Sequence, residues 1–376
     1  MGVHSLSKFT PYIAVTCICF ASAVHSLTHY ANLFLDPNLV ITFNQTSSGA
    51  AQHTITQWAQ STVLEGPWAV TNKTILPASQ DKHDYMSFSP YAWPDCSGAG
   101  NTTVLTKEQI WTTCPYVTRD GQFNPDARDV NDIDSFENLA DGVLYNAITS
   151  QITGSTEYAN NAAKFIRAWF LDDQTAMNPS LNFAQIRRGP GGQNGTHTGV
   201  LDLKCMTKVV NGVLILRQGQ ANAWSSDDDN QMNAWAEKYI SWLQTAPIAI
   251  EESTWPNNHG TFFYNQLAAL QIMVGDNAGA RKTLETYFTT LFKNQISADG
   301  EQPEEAKRTR PYHYRSYNLA AMITNARLGS YVGYDTWNLT TSSGATIQTA
   351  LDFAIAQPSG DDDATELYPN VAAVGE

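Results

Sequence analysis

The sequence predicts an all-α protein: an (α/α) toroid, an incomplete barrel of helical hairpins with long N-terminal loops over its groove. Three observations predict it. Apolar residues recur at spacings of three and four from about residue 130 onward, as one buried helix face requires. The connections carry Gly, Pro, Asn and Asp, as in TAMNPS and IEESTWPNN. No clear strand alternation interrupts them. Hairpins of this kind bury their apolar faces against neighbours, and a ring of them leaves a groove at one end, built from the connecting loops.

The first periodic segment contains Phe136, Leu139, Val143 and Ala147, and further helices are expected at about 156–171, 199–217, 228–246, 261–274, 277–293, 313–328 and 344–355. Residues 27–125 are rich in Thr, Ser, Pro and aromatics with weaker periodicity, and read either as a separate small domain or as loops draped over the toroid. The second reading is favoured because no Pro/Gly linker marks a boundary, which makes 27–376 one domain. The C-terminal stretch SGDDDATELYPN is polar and reads as a loosely held tail, and there is no internal repeat.

At the start, Lys8 precedes an apolar run from Tyr12 to Phe20 that ends in Ala21-Ser22-Ala23. This is the pattern of a secretory signal peptide over residues 1–26, too short to span a bilayer, with cleavage expected after Ala23 or Ser26. A secreted, extracellular protein follows. Sequons at Asn44, Asn72, Asn101, Asn194 and Asn338 agree with that route as N-glycan sites. Of the cysteines beyond the leader, Cys96 and Cys114 are expected to pair, and Cys205, in an apolar helical run, to be a buried free thiol. The cysteine spacings match no zinc pattern, and no HExxH or EF-hand spacing is present, so no metal is expected. The net charge of −14 argues against nucleic acid or an anionic membrane as partner. An acidic polymer would instead need locally clustered cations, and Arg187 with Arg188, and Lys307, Arg308, Arg310 and Arg315, are clustered. A monomer is expected.

Three segments could carry chemistry. In WPNNHGTFFYNQ, Asn257, Asn258 and His259 sit where a loop gives way to a helix; capping by Asn beside a partly buried His is the plain explanation. In DGEQPEEAKRTRPYHYRSYNL, four cations and three tyrosines crowd around His313 before an apolar run. Solvated charge and packed tyrosines would explain that segment too, but Arg can grip a carboxylate with two parallel hydrogen bonds, and a nearby Arg is expected to lower a Tyr pKa toward phenolate. In HDYMSFSPYAWPD and CPYVTRDGQFNP, Tyr91, Trp93 and Arg119 could stack and bind sugar, with core packing nearly as good an account.

With LNFAQIRRGPGG and GVLDL, these segments in order resemble the alginate lyase superfamily of (α/α)-toroid polysaccharide lyases, over roughly Asp84 to Gly329. Within it the chain looks most like polysaccharide lyase family 38, which implies cleavage of glucuronan, and more distantly like the family 5 alginate lyases. In family 5 the Arg segment reads approximately RGxRALxYHNYAL. YRSYNL matches its tyrosines and final leucine, which points to Tyr314 as catalytic tyrosine and Arg308 as neutralising arginine; one residue fewer separates them here, so Arg310 and Tyr317 remain competitors. The resemblance carries the NNH motif over as Asn258 and His259, and implies Tyr91, Trp93, Arg119, Arg187, Gln193, Asn257, Arg310 and Tyr317 as substrate-binding groups. No cofactor is implied.

The implied reaction is β-elimination. Asn258, His259 and Arg308 would neutralise the uronate carboxylate so that C5 becomes acidic, and Tyr314 would take the C5 proton and return one to O4. In glucuronate and mannuronate H5 and O4 lie on the same side, so one tyrosine suffices; in guluronate they are opposed, and His259 would be the base. Glucuronan is the first expectation for substrate and alginate (polymannuronate) the second. Rival classes are a glycoside hydrolase recruiting Asp84, Glu304 or Glu305, and a non-catalytic acidic-polysaccharide-binding protein.

Overall fold

The computed structural model describes residues 33–42, 49–100, 104–219 and 222–374. The expected signal peptide over residues 1–26 and the sequons at Asn44 and Asn101 lie outside them. The remaining sequon residues, Asn72, Asn194 and Asn338, are exposed.

The chain is mostly helical and takes the (α/α)-toroid fold. After short α1 (Pro37–Ile41) come α2 (Gly49–Glu65), α3 (Lys107–Thr113), α4 (Asp132–Thr153), α5 (Thr156–Ile166), α6 (Met206–Gln218), α7 (Ser226–Thr245) and α8 (Pro247–Ser253). They are followed by α9 (Asn258–Met273), α10 (Asn277–Thr289), α11 (Phe292–Gln295), α12 (Pro303–Ala306), α13 (Pro311–Tyr331), α14 (Ile347–Ala356) and α15 (Tyr368–Val374). Helices α4, α6, α9 and α13 pack in succession as an inner arc, with α2 and α5 against α4, α7 and α10 against α9, and α14 and α15 against α13. The inner helices are buried on most sides, so their sequences are apolar or small nearly all round, whereas an outer helix such as α5 keeps one apolar stripe. The main core runs from Phe136 and Trp169 through Val209, Val213 and Leu270, with a second cluster around Tyr287, Phe288 and Leu351.

Local signals set the ends that matter. Helix α9 starts where the Asn257 side chain accepts a hydrogen bond from the His259 backbone N–H (3.2 Å), a cap that puts His259 in the first turn. Gly260 follows because the turn lies against the 255 loop; a Cβ there would meet the Trp255 carbonyl oxygen at 2.3 Å. Helix α13 starts on Pro311, whose missing N–H costs nothing in a first turn.

The N-terminal third departs from the expectation of loops. Helix α2 is a regular helix on α4, and its periodicity is weak because only Ala59 of its residues is buried. Helix α3 carries a capping box between Thr106 and Gln109. Short strands also form, against the reading of none: β1 (Met86–Phe88) pairs parallel with β4 (Phe183–Ile186), and β2 (Ala92–Pro94) antiparallel with β3 (Tyr116–Thr118). Their ladders join segments distant in sequence, so no local alternation reveals them. The Cys96–Cys114 disulfide closes the loop between β2 and β3, and Cys205 is buried outside any disulfide.

The C-terminal stretch is not a loose tail. Asp362 accepts from Arg310 Nε (2.6 Å) and from the His313 backbone N–H (3.1 Å), Glu366 meets His313 Nδ1 (2.7 Å), and Tyr312 donates to the Ala364 carbonyl (3.0 Å). Leu367 and Asn370 are buried. The acidic residues that read as solvated are counter-charges to the start of α13.

Candidate active site

The fold gathers Asn258, His259, Arg308, Tyr314 and Tyr91 into one linked cluster. Asn258 donates its backbone N–H and its side-chain amide to the two oxygens of Glu305 (2.7 Å each), which joins the first turn of α9 to α12. Three residues on, Arg308 lays its guanidinium over the Tyr314 ring, 3.7 Å from its centroid. The Tyr314 hydroxyl lies 3.0 Å from that of Tyr91, which reaches in from the segment before β2. Asp120 accepts from Arg308 Nε and Nη2 (3.2 and 2.6 Å) and from the Thr309 backbone N–H (3.3 Å), so the β3 loop clamps the arginine in place.

Behind His259 lies a group that sequence reasoning missed. Glu252, 0% exposed, meets His259 Nδ1 with one oxygen and His197 Nδ1 with the other, both at 2.6 Å. The His197 ring stacks on Trp255, with centroids 4.8 Å apart and planes at 7°. His197, Glu252 and His259 have the composition of a metal site and offer ligand atoms within 4.8 Å of one another. The two histidine contacts already account for both carboxylate oxygens. Nothing local flagged this trio, since His197 comes from the GTHTGV turn and only the fold sets it beside Glu252.

Burial dominates the electrostatics. It pushes the Tyr314 phenol well above its ordinary range, the neighbouring Tyr91 adds to that, and the Arg308 charge only partly opposes it. The expectation of an arginine-lowered tyrosine is thereby corrected: Arg308 pulls downward as expected, but loss of water outweighs it. Burial likewise raises Glu305 to about 7 against the two Asn258 hydrogen bonds. Asp120 is held below the usual carboxylate range chiefly by its hydrogen bond from Arg308. For His197, burial lowers the pKa, but the Glu252 hydrogen bond and charge, with Glu251, carry it upward overall.

The other sequence-selected groups divide. Trp93 and Arg119 share the β2–β3 ribbon with Tyr91: Arg119 sits 5.3 Å over the Trp93 ring, and its backbone N–H donates to the Tyr91 carbonyl (2.8 Å). Asn257 is the α9 cap. Tyr317 is half-buried, packed on Phe262 and His313, whereas Tyr314 carries the Arg308 and Tyr91 contacts. Arg310 is engaged by Asp362 and Glu366 as part of the C-terminal tie, and Arg187 donates to the Tyr116 carbonyl (3.0 Å from Nε). Gln193 is exposed beside a cavity of about 340 Å³ also lined by Arg188. The Arg188 guanidinium is caged by the rings of Phe88, Trp111 and Tyr116.

The clustered cations are each partnered: Lys307, Arg308, Arg310 and Arg315 pair with Glu304, Asp120, Asp362 and Glu301. Of the acids a hydrolase would recruit, Asp84 accepts from Ser79 and Asn178, Glu304 pairs with Lys307 and Glu305 holds Asn258.

A crystal structure of an alginate lyase from Bacteroides ovatus is similar over 90% of this chain and 87% of its own, with 29% identity and a TM-score of 0.77. A complex of alginate lyase A1-III, an enzyme from Sphingomonas species A1, with a tetrasaccharide matches over 81% of this chain and 75% of its own, with 13% identity and a TM-score of 0.50. Curated sequences give no match. Fold and family together place the protein among the polysaccharide lyases of the (α/α)-toroid class. The alginate lyase family model matches residues 69–364, and the chain belongs to that family.

Proposed function

We propose that this lyase is a secreted enzyme that cleaves a 1,4-linked polyuronate by β-elimination, with β-1,4-glucuronan as substrate. The observation that carries this reading is the stacking of Arg308 on Tyr314, in a cluster that reaches Asn258 and His259 through Glu305. It supplies cationic and amide donors for a carboxylate and a phenol for the leaving oxygen, the combination that elimination demands. Arg308, Asn258 and His259 bind the uronate carboxylate and stabilise the negative charge that builds on it as the C5–H bond breaks. The electron pair forms the C4=C5 double bond, the C4–O4 bond breaks, and Tyr314 protonates O4. With H5 and O4 on one face of the sugar, the same tyrosine serves as base, its phenolate held by Arg308. Trp93 and Arg119, beside Tyr91 on one ribbon, extend the binding surface for neighbouring sugars.

The leader-like segment before residue 27 and the exposed sequon residues Asn72, Asn194 and Asn338 support secretion with N-glycans. A second reading, polymannuronate, is favoured by the Bacteroides ovatus neighbour, which is described as an alginate lyase; mannuronate shares the H5/O4 arrangement.

The test is ultraviolet absorbance with glucuronan, polymannuronate and polyguluronate offered separately, alongside Tyr314→Phe and Tyr317→Phe. An unsaturated-uronate band on glucuronan, lost at least 100-fold in Tyr314→Phe and retained in Tyr317→Phe, is the expected result. A band on polymannuronate alone transfers the substrate to the second reading, and loss in Tyr317→Phe alone transfers the role to that residue.

A further inference from the structure

The paired imidazoles on Glu252 bear on how His259 meets the substrate carboxylate. We infer that Glu252 is a positioning residue that holds a proton of His259 on Nδ1 and so presents Nε2 to the substrate carboxylate, and that His197 is the counter-cation that keeps Glu252 ionised. The inference rests on the proposed elimination only in assigning His259 to the substrate; the tautomer itself does not depend on it.

A carboxylate has no proton to give, so each of its oxygens can meet an imidazole nitrogen only by accepting N–H. Contacts of 2.6 Å from one carboxylate to both Nδ1 atoms therefore require a proton on each Nδ1. A fully buried carboxylate is costly without a neighbouring positive charge. His197 is the better placed of the two to supply it. Its Nε2 lies 3.6 Å from Glu251 Oε1, so carboxylates flank both of its nitrogens, and its ring lies flat on Trp255, where a cation gains from the π face. With His197 charged, Glu252 stays ionised. His259 is then oriented by its Nδ1–H and by the capped first turn of α9, which leaves Nε2 for the substrate. The groups facing this pair are thus Glu251 and Glu252 of α8 and the Trp255 ring beyond its end.

Replacing Glu252 with Gln makes a specific prediction. The amide offers one acceptor and one donor where the carboxylate offered two acceptors, so one imidazole must turn its Nδ1 into an acceptor and move its proton to Nε2. The experiment is nitrogen-15 NMR of the histidine side chains in the wild-type enzyme and in Glu252→Gln, with kcat and KM on the cleaved polymer and assignments from His197→Gln and His259→Gln. Expected are a wild-type His259 protonated on Nδ1, a doubly protonated His197 near neutral pH, and in Glu252→Gln an imidazole of the pair with its proton on Nε2 alone. In the same variant kcat should fall 100-fold or more with KM within threefold, since a turned imidazole weakens the contact that strengthens as negative charge builds on the carboxylate in the transition state. A wild-type His259 with no proton on Nδ1, or a Glu252→Gln enzyme with kcat within threefold of wild type, overturns the inference. If Glu252→Gln does not fold, the wild-type spectrum alone decides. If wild-type enzyme cuts none of the polyuronates, the function reading fails while the spectrum still judges the tautomer.

Discussion

At the residue scale, the resting state of Tyr314 is set by its surroundings more than by its charged neighbour. It is 5% exposed, hydrogen-bonded to Tyr91 and covered by Arg308, and its phenol stays protonated through neutrality. That suits protonation of O4 and makes phenolate formation the demanding step. If Tyr314 is the base, kcat should still be rising above pH 8; a rise complete by about pH 7, in the ordinary titration range of imidazole, would give the base role to a histidine. Glu305 yields a stability prediction. Its folded-state pKa of about 7 lies above its ordinary value of 4.5, so the folded form binds the extra proton between those values and stability is lost as pH rises through them. The loss is roughly 3 kcal/mol at most by the linkage relation. Buried Asp132 and Asp202, each raised to about 6, act with the same sign. Wild-type Tm should therefore be higher at pH 5 than at pH 8, and Glu305→Gln should shrink that difference.

At the element scale, the ends of helices carry the proposed catalytic groups. The first turns of α9 and α13 carry Asn258, His259 and Tyr314, and α12 ties the two starts together through Glu305. Asn257→Ala removes the cap on the His259 N–H and should cost about 1 kcal/mol of stability. Because that turn carries His259, kcat should fall more than the same stability loss produces when introduced elsewhere. Chemical denaturation alongside kinetics checks it, with the part-buried cap Thr346→Ala on α14 as the control. Much of this level was legible. Long periodic runs marked α4, α7, α9, α10 and α13 within a few residues, because each has a stripe or a full circumference to bury. Helix α2 was not legible, because burying one residue fully leaves little pattern to read.

At the scale of the whole molecule, the acidic excess becomes organised. The −14 net charge provides carboxylates for the clustered cations near Tyr314, which are held in place by those partners rather than forming a diffuse positive surface. The C-terminal segment belongs to this arrangement, holding Arg310, Tyr312 and His313 through Asp362, Ala364 and Glu366. Ending the chain after Ser359 should lower Tm and reduce kcat together, since it releases the turn that carries Tyr314; unchanged kinetics would show that α13 holds its start unaided. In the main core, Trp169 is fully buried against Phe136, and Trp169→Ala should cost about 3–5 kcal/mol in chemical denaturation, with any surviving folded enzyme keeping its KM.

The sequence by itself determined the helical class, the inner helices and the ordered motifs that mark the family, because helix periodicity, capping and short motifs are local properties that a linear chain displays. Tertiary structure alone decided which of the crowded cations are spent on neighbouring acids, that Tyr314 rather than Tyr317 meets Arg308 and Tyr91, and that Glu252 stands behind both His197 and His259. Those are relations between residues far apart in the chain, and burial and hydrogen bonding act through distance in space, which residue numbers do not contain.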